Sequence, residues 1–150
     1  MPDCDDKNVF LAISSWLTGF SDVELLGTGL LETYWEVVQR EASVENLQYF
    51  LAASRDVLAQ GDGCETTTHQ LILERLIPAS CYDNLAQNIV YMWYAGAWYP
   101  TVSTATDLAQ VRNISPNAYI QGLMWAAADT HPPGAKQPGF GSWAEPPVGV

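Results

Sequence analysis

The last twenty residues, His131 to Val150, read HPPGAKQPGFGSWAEPPVGV. Five are proline and four are glycine. Proline removes backbone donors and clashes with the preceding helical turn, and glycine raises the entropic cost of ordering. This segment cannot be helix, so residues 1–130 must build the folded body without it. Phe140 and Trp143 nevertheless sit in its middle. A solvated tail avoids large aromatics. An extended arm that lays two rings into a groove uses them. The arm either packs back on its own domain or docks on another protein. His131 precedes two prolines, where it is placed to anchor the arm by hydrogen bonds.

The body reads as helical. Hydrophobic residues make up 48% of the chain, which excludes disorder for the body, and 150 residues suit one domain. Asn8 to Leu17 predicts a short helix with Val9, Ile13, Trp16 and Leu17 on one side, ended by Gly19. Ser21-Asp-Val-Glu24 is a capping box opening a second helix. Its apolar stripe is Val23, Leu26, Leu30, Tyr34, Val37 and Val38. Ser43 caps a third, with Leu47, Phe50, Leu51, Ser54, Val57 and Leu58 as its stripe, stopped by Gly61-Asp-Gly63. Thr66-Thr-Thr68 precedes a fourth helix that Pro78 ends or kinks. Ser80, with Asp83 three positions on, starts a fifth that runs to Gly96 through Leu85, Ile89, Met92 and Trp93. Pro100 to Asn113 reads as irregular. Ser115-Pro116 is an N-cap followed by proline at the first helical position; Tyr119, Leu123, Met124 and Ala127 line the last helix. No segment alternates with period two. The expected fold is an all-α bundle of five to six helices over residues 1–130, followed by an extended, non-helical C-terminal arm over residues 131–150.

Charge narrows the partners. The net charge is −11, and residues 1–65 hold twelve acids against three bases. Such a surface argues against nucleic acid and anionic membrane. No stretch reaches the roughly 20 apolar residues of a membrane span. Met1-Pro-Asp-Cys-Asp-Asp opens polar and acidic, without the basic start of a secretory signal. Export would therefore use a removed or a partner-borne signal.

Familiar catalytic patterns are missing from the sequence. It contains no GxGxxG, Walker-type loop, CxxCH, cysteine cluster or Glu-x-x-His, so nucleotide, haem, iron–sulfur and di-iron sites are not expected. Cys4, Cys64 and Cys81 match no zinc spacing. Cys81 lies in a helical pattern and reads as a buried thiol; Cys4 and Cys64 lie in polar contexts open to disulfide formation. His69 and His131 are the two imidazoles, and Glu74 and Asp83 are isolated carboxylates. A small enzyme using His131 or a cysteine is the reading from a different class. Catalytic, cofactor-binding and metal residues are all expected to be none.

The run Tyr91-Met-Trp93-Tyr94-Ala-Gly96-Ala-Trp98-Tyr99 places rings on all sides of a helix. Either the helix is central and buried all round, or it presents an aromatic patch that a partner covers. Gly96 either lets a neighbouring backbone approach or ends the helix.

Three segments carry a resemblance: Tyr91-Met-Trp-Tyr-Ala-Gly-Ala-Trp98, Ala118-Tyr-Ile-Gln-Gly-Leu-Met-Trp125, and His131-Pro-Pro-Gly-Ala-Lys-Gln-Pro-Gly-Phe-Gly-Ser-Trp143. Together they resemble the small subunit of bacterial membrane-bound FAD-dependent sorbitol and fructose dehydrogenases. Phe10-Leu-Ala-Ile-Ser-Ser-Trp-Leu-Thr-Gly19 is similar to the first helix of that family. The resemblance implies a non-catalytic subunit that binds a large flavoprotein of the glucose-methanol-choline type and supports its maturation and export. A cytochrome c subunit is the further partner it implies, and FAD would reside in the large subunit. The family often carries a twin-arginine signal; this sequence has no Arg-Arg pair, and its first arginine is Arg40. The implied compartment is periplasmic, or cytoplasmic where no signal exists. Residues expected to meet the partner are Trp93, Tyr94, Trp98, His131, Pro138, Gly139, Phe140, Gly141 and Trp143. The alternative is a free-standing helical adaptor or chaperone-like binding module.

Overall fold

A computed structural model describes residues 2–78, 82–99, 111–130 and 132. His131 and residues 133–150 lie outside that set, as do Ser80 and Cys81. The protein is an all-α helical bundle: the described residues form eight α-helices, one short 3-10 turn and one two-residue antiparallel pair. The chain divides into two compact units, residues 1–90 and 91–150.

In the first unit, α1 spans Pro2–Thr18 and starts ahead of the expected Asn8. Proline is tolerated in a first helical turn. Asp5 and Asp6 suit the positive end of the helix dipole. Gly19, at φ +80°, ends α1 as expected. Its core side is Phe10, Ile13 and Ser14, with Val9, Trp16 and Leu17 only half-buried on the flanks.

The capping box at Ser21 forms. Ser21 Oγ accepts from Glu24 N–H at 3.3 Å, and Glu24 Oε2 accepts from Ser21 N–H at 2.8 Å. The long helix expected behind it does not form: α2 is Asp22–Gly27 and α3 is Leu31–Glu41. Gly29 takes φ +71° between them. The Thr28 hydroxyl bonds back to Leu25 O at 2.7 Å and accepts from Leu30 N–H at 3.2 Å, which fixes the corner. The break shifts the helical phase. Leu25 becomes the buried residue of α2, while Val23 and Leu26 are 77% and 50% exposed. Behind the corner Tyr34, Val37 and Val38 are buried as expected, with Trp35 added against Phe10 at 5.5 Å between centroids.

Helix α4, Val44–Gly61, is capped by Ser43 Oγ, which accepts from Asn46 N–H at 3.2 Å. Leu47, Phe50, Leu51, Ser54 and Val57 form its buried stripe, and Leu58 is half-buried. Asp62 at φ 42° and Gly63 at φ +73° turn the chain sharply. Helix α5 then spans Glu65–Arg75 with Cys64 at its N-cap. The three threonines expected ahead of this helix instead form part of it. Thr68 is buried against Gly61, where an added Cβ would stand 2.1 Å from Thr68 Oγ1. Only the absent side chain of Gly61 permits α4 and α5 to approach so closely.

Helix α6, Leu85–Ala95, begins later than the Ser80 start the sequence suggests. Tyr82, Asp83 and Asn84 precede it at φ 57°, 51° and 59°, a left-handed turn. On the surface of this unit Arg55 pairs with Asp5 and Asp6, and Lys7 pairs with Glu32. Exposed pairs of this kind contribute about 0–1 kcal/mol each.

The second unit takes Tyr91–Ala95 from the end of α6 and then the strand β1, Ala97–Trp98. Strand β2, Arg112–Asn113, pairs with it antiparallel, Ala97 opposite Asn113 and Trp98 opposite Arg112. Pairing so far apart along the chain leaves no period-two signal in two-residue strands, which is why sequence reading missed it. Ser115 caps α7, Pro116–Ile120, by accepting from Ala118 N–H at 3.0 Å, with Pro116 at the first position as expected. The single last helix is in fact two, because α8 begins anew at Leu123 and ends at Ala127. Among the described residues no helix is long and apolar enough to cross a membrane.

Candidate functional site

Two of the three segments that carry the family resemblance are described, and the second unit brings them together. Gly96 is buried at the end of α6, and its φ of +66° turns the chain from helix into β1. A Cβ on Gly96 would stand 2.5 Å from both the carbonyl carbon and oxygen of Ala118. A Cβ on Gly122 would stand 2.6 Å from Tyr94 O. Each segment therefore presses a glycine onto the backbone of the other. Ile114 N–H donates to Gly96 O at 3.0 Å and ties the β2 end to the same point. Of the two roles weighed for Gly96, close approach and helix termination, it performs both. The split between α7 and α8 has the same origin. Gln121-Gly122 is where the chain yields to fit against Tyr94.

The aromatic run is mostly interior. Trp93 and Trp98 are 1% and 4% exposed. Burial makes these two rings core side chains rather than surface anchors. Tyr94 and Tyr99 are half-buried, and Tyr91, at 38%, stands edge-on to Tyr99 with centroids 6.0 Å apart. The surface this run offers is thus tyrosine: an apolar ring with a polar tip.

The end of the second segment is also fixed. Trp125 Nε1 donates to Tyr119 O at 2.7 Å, and the two rings meet edge-on at 5.3 Å. Thr130 N–H donates to Trp125 O at 2.9 Å, Asp129 turns at φ 52°, and Pro132 is buried. The chain is therefore held up to the point where the proline- and glycine-rich arm begins. The remaining candidates, His131, Pro138, Gly139, Phe140, Gly141 and Trp143, lie outside the described residues.

Among the described residues, the groups that a small enzyme would need are dispersed. His69 is exposed on α5, edge-on to Trp16 at 5.3 Å. Glu74 accepts from Gln70 at 3.0 Å and Asp83 from Asn46 at 2.5 Å, so each carboxylate is matched with an amide on the surface. Cys4, on α1, and Cys64 are both free and exposed. Thr67 Oγ1 donates to Cys64 Sγ at 3.3 Å and holds that thiol below its usual range, with backbone N–H groups of the helix start adding to the effect. Burial pushes the Tyr34 phenol up. Among the described residues no three His, Cys, Asp or Glu side chains gather as a metal site would require. Sequence reading missed the N-cap role of Cys64 and the seat of Gly122. A glycine three residues after Tyr119, between two runs of apolar residues, was the available signal for the second.

No protein-family model, curated protein or solved structure matches the chain.

Proposed function

We propose that this chain is the non-catalytic small subunit of a large FAD-dependent sugar or polyol dehydrogenase, which it binds and whose maturation and export it supports. The observation that supports this reading is the joining of the two resembling segments. Tyr91–Trp98 and Ala118–Trp125 are distant in sequence, yet Gly96 and Gly122 interlock them backbone to backbone. Thr130 and Pro132 then lead from this platform into the arm. On this reading the platform is rigid and self-contained, and the arm is the part that reaches the flavoprotein. Phe140 and Trp143 are its anchors, with His131, Pro138, Gly139 and Gly141 shaping its path. Proline restricts the unbound arm and so lowers the entropy lost on docking. Tyr94 is the platform residue nearest to this role, since Trp93 and Trp98 are spent on the core. FAD belongs to the large subunit, a cytochrome c subunit is the further expected partner, and the working compartment is the periplasm.

The test is co-expression with a large glucose-methanol-choline-type sugar or polyol dehydrogenase. The pair should co-purify, show a flavin spectrum and reduce dye with sugar or polyol, while the chain alone should do neither. Deleting residues 131–150 should abolish co-purification and leave the helical circular dichroism of the body intact. Trp143→Ala should weaken association by about 2 kcal/mol or more if the ring is a buried anchor. A flavin spectrum from the isolated chain would overturn the proposal. Failure to associate with any flavoprotein would favour a free-standing adaptor.

A further inference from the structure

Tyr82, Asp83 and Asn84 form the least expected backbone among the described residues. Three consecutive residues, none of them glycine, take φ of 57°, 51° and 59°. L-residues visit this region singly and at a cost, and aspartate and asparagine tolerate it better than tyrosine does. The local sequence codes for something else. Ser80 followed at the third position by Asp83 is the pattern of a right-handed helix start, and α6 follows directly at Leu85. Local coding and tertiary structure therefore disagree here. Two contacts with α4 favour the left-handed form: Asn46 Nδ2 donates to Asp83 Oδ2 at 2.5 Å, and the Tyr82 ring stands edge-on to Phe50 at 5.7 Å.

We propose that this turn is a strained strap across α4, with a second, right-handed state in which residues 82–84 join α6. In the strapped state the Asn46–Asp83 bond holds the turn and Tyr82 covers Phe50. In the released state the strain is relieved, α6 gains a turn at its start, and the Phe50 side of α4 loses its tyrosine cover. The Asn46–Asp83 bond is exposed, so it is the contact that a partner or solvent can reach and break.

Nuclear magnetic resonance on the labelled full chain tests this with two substitutions that act in opposite directions. Asn46→Ala removes the donor from a surface position of α4, where alanine favours the helix. Asn84→Gly relieves the left-handed penalty. The unaltered chain should show Cα shifts and amide couplings of positive φ at residues 82–84, with a cross-peak between the Tyr82 and Phe50 rings. Asn46→Ala should shift these residues to right-handed helical values and lose the ring cross-peak. Asn84→Gly should keep both strapped signatures, and should restore them when combined with Asn46→Ala. Unchanged left-handed signatures in Asn46→Ala would overturn the proposal. So would right-handed values in the unaltered chain.

Discussion

Replacing Gly96 by alanine tests the interlock at the heart of the second unit. Two penalties act at once. Gly96 sits at φ +66°, and an L-side chain there costs roughly 1–2 kcal/mol. Its Cβ would also meet the Ala118 carbonyl at 2.5 Å and Tyr119 N at 2.9 Å. These are backbone atoms that cannot rotate aside, so overpacking adds about 1–3 kcal/mol. The expected loss is therefore about 2–5 kcal/mol. Other glycines separate the terms. Gly19 has φ +80° but nothing within 4 Å of a Cβ, so Gly19→Ala should show the strain alone. Gly122 lacks positive φ but faces Tyr94 O at 2.6 Å, so Gly122→Ala should show the clash alone. Gly27 has neither, and Gly27→Ala should be neutral or stabilise by up to about 1 kcal/mol. Urea unfolding followed by tryptophan fluorescence suits the measurement, because Trp93 and Trp98 are buried in the affected unit. If Gly96→Ala costs no more than Gly19→Ala, the backbone approach of the two segments is wrong.

Two further outcomes follow from single side chains. The Ser21 N–H and hydroxyl hold the Glu24 carboxyl below its ordinary 4.5. Its folded value is depressed, so its stabilising effect is complete above pH 4.5 and fades as pH falls through the lower folded value. Melting temperature against pH for Glu24→Gln should show a shallower acid limb below pH 4.5 than the parent, and parallel limbs would refute the assignment. At Cys64, Thr67→Val should slow iodoacetamide alkylation at neutral pH by removing the hydroxyl that favours the thiolate. Mass spectrometry can follow Cys64 with Cys4 as the internal comparison, and an unchanged Cys64 rate would exclude the hydroxyl's role.

What could be read from the sequence was chiefly what is encoded within one helical turn. Ser21, Ser43 and Ser115 each announce a cap, and each caps as expected. Gly19 and Gly96 stop their helices for the same local reason. Errors appear where two distant pieces decide. Periodicity alone puts Val23 and Leu26 in the core, but the corner at Thr28-Gly29 breaks the phase and Leu25 occupies it instead. The Ser80 start and the threonines ahead of the fourth helix are readings of local composition, whereas Thr68 lies inside α5 against Gly61 of α4, and Tyr82–Asn84 are left-handed beside Asn46 and Phe50. The β1–β2 pair and the seat of Gly122 depend on contacts between segments that no local pattern records. The candidate site divides the same way. The aromatic excess of residues 91–99 is visible as composition, whereas the interior position of Trp93 and Trp98 is not.

Helix α4 has a consequence for how the chain can be divided. It touches α1 and α3, which come before it, and α5 and the Tyr82–Asn84 turn, which come after. No single cut within residues 19–81 leaves α4 with all of its neighbours on one fragment. The first unit is therefore indivisible from either end, although its helices are short and consecutive. A fragment ending at Glu41 would keep α1 and α3 but lack the surface on which they close. Each half alone would leave buried side chains such as Phe10 or Phe50 facing water. Two complementary fragments, by contrast, would each carry the missing wall of the other, and a nick at Asp62-Gly63 would leave the pieces with reason to stay together.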